Sequence, residues 1–264
     1  MGLTRGKSRK KVGLALGSGA SRGLAHIGVI EVLEKEGIPI DMIAGTSMGA
    51  LVGAIYAHGQ DIEQMKNLAI TLGAKRLGLV DLTLPKTGLL RGRKIEDTLK
   101  LVIGEAKFSD LKIPFACVAT DIDCGEEVVF KEGLVREAAR ASSSIPAILA
   151  VVKLGGKYLV DGTLVNPVPV SVVRAMGADI VIAVNVIPRR EITGKTAPNI
   201  FAIIMQTIHI SSYGIIKANL AGADIVIEPD ISNIGYADFS RVQECILQGE
   251  LAAREAIPEI KNAM

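Results

Sequence analysis

Apolar residues along the chain fall into two kinds of run, and the two kinds alternate. Short runs rich in β-branched and aliphatic side chains predict strands at Val12–Leu16, Asp41–Gly45, Pro114–Thr120, Glu126–Lys131, Lys157–Val160, Ile180–Val186 and Asp224–Glu228. Longer runs predict helices at Arg22–Glu36, Met48–His58, Asp61–Leu72, Arg93–Ile103, Leu134–Ala141, Pro169–Met176, Ile200–Leu220 and Asp238–Ala256. In the last, Phe239, Val242, Ile246, Ala253 and Ile257 recur at roughly helical spacing. Several strands lack polar alternation, as strands covered on both faces do. Strand–helix alternation with buried strands predicts a layered α/β domain with a mostly parallel sheet. No repeat, linker or composition shift divides the chain, so one domain is expected over residues 11–264, preceded by a short arm at 1–10.

Two uncharged runs, 42–60 and 196–216, are long enough to raise a membrane span. The first carries Gly45, Thr46, Ser47, Gly49, Gly53 and His58, and the second Asn199, Gln206, Thr207, His209, Ser211 and Ser212. Such polar loads fit burial in a globular protein better, with the second run readable as a surface helix touching lipid. The apolar stretch from Val12 is only about six residues, short of the roughly 7–15 of a signal peptide, and Gly6 fails the myristoylation pattern.

Charge changes this picture at one place. Of 264 residues, 30 are basic and 28 acidic, but residues 1–11 hold Arg5, Lys7, Arg9, Lys10 and Lys11 with no acid. Beyond them stand 25 basic and 28 acidic residues, too even for a nucleic-acid face, and 3% aromatics with no Trp give few stacking platforms. Cys117, Cys124 and Cys245 are scattered and never cluster with His at zinc spacing, so they read as small buried hydrophobes in a reducing compartment. Neither a cofactor nor a metal is implied.

Gly45-Thr46-Ser47-Met48-Gly49 is a G-x-S-x-G between an apolar strand and an apolar helix, the setting of a nucleophile elbow. There a strained serine exposes Oγ at a helix N-terminus. Gly17-Ser18-Gly19-Ala20-Ser21-Arg22-Gly23 follows the first strand. It lacks the Lys of a Walker loop, and its third Gly comes one residue late for a dinucleotide fingerprint. What survives is a loop of small residues whose N–H groups can meet an anion, as an oxyanion hole requires. Arg22 would orient that loop or pair with an acid. A serine needs a base, and two routes are open: His209 late in a Ser–Asp–His order, or a carboxylate acting directly, with Asp161-Gly162 as one candidate. Asp121 and Asp123 read as a turn between strands, and Ser142-Ser143-Ser144-Ile145-Pro146 as a helix end and loop lining a pocket.

Together these segments resemble the patatin-like phospholipases. The resemblance runs from Lys11 to about Ile257, on GSGASRGLAHIGV (17–29), GTSMG (45–49), ATDIDCGEEVVF (119–130), ARASSSIPAI (139–148), LVDGTLVNPVP (159–169) and GADIVIAV (177–184). It implies a three-layer α/β/α fold and a Ser–Asp dyad that hydrolyses lipid acyl esters without histidine. Ser47 matches the nucleophile, Asp161 the base, and residues 18–23 the oxyanion loop. Donors would be Ser18, Gly19, Ala20 and Met48, with Gly17, Arg22, Gly23, Gly45, Gly49 and Gly162 supporting. Two positions depart from the pattern: the usual glycine triplet is reduced to Gly19 between Ser18 and Ala20, and Thr163 stands where Gly or Ala is common, bringing a hydroxyl near the base. The expected activity is phospholipase A or lysophospholipase, with a general carboxylesterase or thioesterase as the alternative. The expected location is the cytoplasm, with the basic arm touching anionic membrane at its inner surface.

Overall fold

The computed structural model describes residues 9–74, 88–187 and 200–264. Its strands and helices, in chain order, are β1 (Val12–Leu16), α1 (Ala25–Lys35), β2 (Met42–Thr46), α2 (Met48–His58), α3 (Ile62–Ala74), β3 (Gly88–Leu90), α4 (Arg93–Ile103), β4 (Phe115–Asp121), β5 (Glu127–Phe130) and α5 (Val135–Ser142), then β6 (Ala147–Leu149), β7 (Val152–Leu154), β8 (Lys157–Asp161), α6 (Val170–Ala175), β9 (Ile180–Val184), α7 (Ile200–Leu220), β10 (Ile225–Ile227) and α8 (Val242–Ala263). An eight-stranded sheet runs β10-β9-β1-β2-β4-β8-β7, with β5 also on β4. Pairs among β10, β9, β1, β2 and β4 are parallel, and β5, β8 and β7 pair antiparallel. This is the expected α/β class with a mostly parallel central sheet.

Alternation along the buried strands explains the layers. Leu14, Leu16, Ile43, Ile182 and Val184 point to one face and pack with α1, α2 and α8. Ala15, Ala44, Ala116 and Ala183 point to the other and pack with Val170, Val172 and Val173 of α6. Small residues on that second face let α6 approach closely: a Cβ on Gly13 would lie 2.1 Å from Val173 Cγ1. The result is helices on both faces of the sheet.

Two features of the topology place the site. The strand order reverses at β1, whose neighbours are β2 and β9. At such a switch the loops leaving adjacent strands diverge and open a crevice at their carboxyl ends. The loop leaving β1, Gly17–Gly19, stands at this switch, and Ser47 follows the neighbouring strand β2. The second feature is a handover along one edge of β4. Its first half pairs with β2 and its second with β8, while β5 occupies the opposite edge. Thr46 is opposite Val118 and Asp161 opposite Ala119, so strands 115 residues apart in sequence end beside each other.

Several sequence expectations need correction. The first turn expected of α1 is a 3₁₀ helix at Ala20–Leu24. The last helix begins at Val242, because Asp238 instead caps a turn through Ser240, and it continues through Pro258 to Ala263. The three-residue strands β3, β6 and β7 were not expected. Cys117 and Cys245 are buried, but Cys124 is exposed in the β4–β5 turn. Asp121 accepts the Asp123 N–H in that turn and pairs with Lys157 at 2.8 Å. The uncharged run 42–60 folds as β2, Ser47 and α2. Within 196–216, α7 starts at Ile200, and 196–199 lie outside the described residues. Of the basic arm, residues 1–8 also lie outside them. Arg9 is tied to Asp41 by two hydrogen bonds, and Lys10 Nζ donates to the Ala263 carbonyl. Among the described residues no helix is long and apolar enough to cross a membrane.

Candidate active site

Ser47 sits between β2 and α2 with φ 57° and ψ −119°, a left-handed conformation uncommon for a residue with a side chain. Its glycine neighbours are dictated by contact. A Cβ on Gly45 would lie 2.4 Å from the Gly49 carbonyl oxygen, and one on Gly49 would lie 2.1 Å from that of Leu16. Both obstacles are backbone, so neither can give way. The tight turn brings α2 against the end of β1 and leaves Ser47 at the helix N-terminus.

Ser47 Oγ donates a 2.6 Å hydrogen bond to Asp161 Oδ2. The other carboxylate oxygen, Oδ1, accepts from the Thr163 N–H at 2.9 Å and from Thr163 Oγ1 at 2.6 Å. Asp161 is therefore held by three donors at the end of β8. Its backbone is held as well: its N–H donates to the Ser144 carbonyl, and its own carbonyl accepts from Thr120 Oγ1. Burial pushes the Asp161 carboxyl above the usual carboxylate range, against the opposing pull of the Ser47 and Thr163 hydrogen bonds. A raised pKa makes the carboxylate a better proton acceptor than a free aspartate.

The glycine-rich loop divides its donors. The Gly17 N–H goes to the Val184 carbonyl at 3.0 Å and the Ser18 N–H to the Pro167 carbonyl at 2.9 Å. Ser18 therefore does not offer its backbone donor to a ligand, contrary to expectation. Among the described residues no acceptor takes the N–H groups of Gly19, Ala20 or Met48. Ala20 adopts φ 49°, the left-handed conformation that a glycine would take more easily. The loop is braced from both sides. His26 Nε2 donates to the Gly17 carbonyl at 2.7 Å, and burial lowers the His26 pKa to about 4, keeping that ring neutral. Ser21 and Arg22 reach the opposite wall: Ser21 Oγ donates to the Gly235 carbonyl, and Arg22 to those of Ile234 and Ser232. The Arg22 guanidinium also lies 3.9 Å from the Tyr236 ring centroid. Of the two roles open to Arg22, orienting the loop is the one these contacts match.

His209 lies on α7 and faces the same small cavity as Ser47 and Asp161, yet it bonds to neither. Its ring packs on Tyr236 at 4.0 Å, and burial, with repulsion from Arg22, lowers its pKa to about 3. The Ser–Asp–His order is thus not assembled, because the partner of Ser47 Oγ is the carboxylate itself.

Two contributors, Ser142 and Arg140, were given no role at the dyad from sequence. Ser142 Oγ accepts the Ser47 N–H at 2.9 Å, fixing the elbow from α5. Arg140, buried, donates to Ser144 Oγ and to the carbonyls of Arg91, Gly92 and Ala150, holding the segment that anchors Asp161. The serine run was the available signal, but these partners depend on tertiary placement.

A cavity of about 220 Å³ extends from Ser47 between α2, α3 and α4. Leu51, Ile55, Leu68, Ala69, Leu72, Leu99, Ile148 and Phe239 line it, and its polar contributions are few. A second space of about 10 Å³ lies on the other side of Ser47 and is bounded by Ser18, Asp161, Thr163 and His209. Residues 14–174 match the patatin-like phospholipase family model. The chain belongs to the patatin-like phospholipase family. It is 40% identical over 182 residues to an uncharacterized NTE family protein of Mycobacterium tuberculosis, covering 69% of this chain and 50% of that one. It is 28% identical over 288 residues to the lysophospholipase NTE1 of Pyricularia oryzae, covering 98% of this chain and 19% of that one. The chain thus spans half or less of these curated relatives. Its fold is similar to the crystal structure of VipD from Legionella pneumophila, with a TM-score of 0.52 at 12% identity, covering 95% of this chain and 67% of that one.

Proposed function

We propose that this patatin-family hydrolase is a serine lipid acyl hydrolase of phospholipase A or lysophospholipase type, working through a Ser47–Asp161 dyad. One observation carries the reading. The 2.6 Å bond from Ser47 Oγ to Asp161 Oδ2 adjoins an apolar cavity of about 220 Å³ that Ser47 itself lines, so an ester whose acyl chain fills the cavity can bring its carbonyl to the serine. Asp161 accepts the Oγ proton as Oγ attacks the carbonyl carbon. Charge develops on the carbonyl oxygen, and the N–H groups of Gly19, Ala20 and Met48, with the N-terminus of α2, stabilise it. The tetrahedral intermediate collapses, the alkoxide takes the proton from Asp161 and leaves, and Ser47 carries the acyl group. Water then releases the fatty acid by the same steps in reverse roles. Thr163 fixes the carboxylate so that Oδ2 stays aimed at Ser47.

An aggregated substrate needs a way onto its surface. The exposed Ile203, Ile210 and Tyr213 of α7, a helix adjoining the site, supply apolar contact with lipid, and basic residues of the N-terminal arm supply attraction to anionic head groups. The test compares hydrolysis of a lysophospholipid dispersion by the wild type and by Ser47→Ala at matched thermal stability. The reading expects activity on the dispersion that Ser47→Ala abolishes. Retained activity in that variant contradicts it, and a preference for short soluble esters over the dispersion points instead to a general carboxylesterase.

A further inference from the structure

Two buried polar side-chain atoms beside the dyad have no partner among the described residues. Ser18 is 2% exposed and His209 8% exposed, and among the described residues neither Ser18 Oγ nor His209 Nδ1 makes a hydrogen bond. A buried polar group without a partner is destabilising, so two together invite an explanation. Ser18 and His209 both line one cavity, the small one that also touches Ser47 and Asp161. Its volume of about 10 Å³ is close to the least that holds one water, and far too little for a head group or a methylene chain. Ala20, Ser47 and Ile145 form the boundary between this polar space and the large apolar one. An acyl group on Ser47 with its chain in the large cavity therefore has the small cavity on its other side.

We propose that Ser18 Oγ and His209 Nδ1 hold the water that deacylates Ser47. This rests on the dyad reading and assigns its second half-reaction to a place. Once Ser47 is acylated, Oγ no longer donates to Asp161 Oδ2, and that oxygen is free to accept from the water. The water oxygen forms a bond to the acyl carbon while its proton passes to Asp161. The Ser47 Oγ–carbon bond then breaks, Oγ recovers the proton from Asp161, and a carboxylic acid leaves. Ser18 can donate or accept, and a neutral imidazole nitrogen can do either according to its tautomer, so the pair can orient both the lone pair and the second hydrogen of the water. His209 is kept neutral by its buried place beside Arg22, which suits a group that binds water without taking its proton. The same placement gives a histidine with no bond to the nucleophile a use within the reaction.

The test separates the two half-reactions. Ser18→Ala removes only an unpartnered hydroxyl, and His209→Phe keeps a ring against Tyr236 while deleting the nitrogens, so both should fold. Wild type, both single variants and the double variant are mixed with p-nitrophenyl butyrate in a stopped-flow instrument, and acid-quenched samples are weighed by intact-mass spectrometry. Each variant is expected to release the first equivalent of nitrophenol at nearly the wild-type rate. It should then turn over roughly tenfold more slowly, the size of losing one hydrogen bond to the reacting water, and accumulate butyryl-Ser47. Added methanol, a competing nucleophile, should take a larger share of the acyl group in the variants than in the wild type. Unchanged deacylation in the double variant overturns the proposal, as does equal slowing of acylation and deacylation, the mark of a structural role. If the wild type hydrolyses the ester and a slow-deacylating substrate traps no adduct on Ser47, the dyad reading falls and the water site falls with it.

Discussion

Shortening the large cavity should shorten the acyl chains this enzyme prefers. Ala69, on α3, is buried and faces the cavity across from Leu51 and Ile55 of α2. Ala69→Leu keeps a strong helix former and places three more carbons in space that substrate would occupy. A methylene transferred from water to such a space is worth about 0.8 kcal/mol, so displacing about three of them costs a long chain ~2.4 kcal/mol. That is roughly a 60-fold fall in kcat/KM for long esters relative to short ones. The assay is kcat/KM across p-nitrophenyl esters from butyrate to palmitate, with thermal melts to show that the variant folds. A uniform loss at all lengths would mean that the substitution disturbs the dyad rather than the chain site. An unchanged profile in a folded variant would refute the assignment of this cavity to the acyl chain.

Thr163→Val deletes one donor to Asp161 Oδ1 and so favours the neutral carboxyl; the acid limb of the kcat/KM profile should move to higher pH, as a pH series will show. Asp161→Asn should abolish turnover yet raise Tm at neutral pH. Burial raises the folded-state pKa of Asp161, so the folded state is penalised as pH rises through that value, and the variant's advantage should vanish below the unfolded-state pKa, which melts at neutral and acid pH will reveal. Gly49→Ala places a Cβ against the Leu16 carbonyl and should cost more than about 3 kcal/mol, seen as a large drop in Tm or loss of soluble protein.

Local chemistry made part of this structure readable in the sequence, and long-range pairing hid the rest. β1, β2, β4 and β9 are continuous apolar runs because helices cover both faces, so composition alone marked them. The G-x-S-x-G turn was legible because its glycines answer to backbone contacts within and next to the turn. β3 and β6 are three-residue strands defined only by each other, 59 positions apart along Gly88 and Ala147, and no local pattern specifies them. Within the glycine-rich loop the number of small residues was visible, but the use of the Ser18 N–H was not, since its acceptor Pro167 arrives from beyond β8. His209 shows the same limit. Its place late in the chain left it as one of two candidate bases, while its position against Tyr236, Arg22 and the small cavity follows from packing among distant segments. The charge of the N-terminal arm was plain, yet Arg9 is committed to Asp41 and Lys10 to the end of α8, which leaves fewer of its charges for a partner.

The central claim is that Ser47 is the nucleophile and Asp161 its base. Its most direct test is covalent labelling with an alkyl fluorophosphonate, followed by peptide mapping. The account predicts one adduct, on Ser47, formed rapidly in the wild type, absent in Ser47→Ala and slowed severely in Asp161→Asn while that variant remains folded. An adduct on another residue, or wild-type labelling rates in Asp161→Asn, would contradict it.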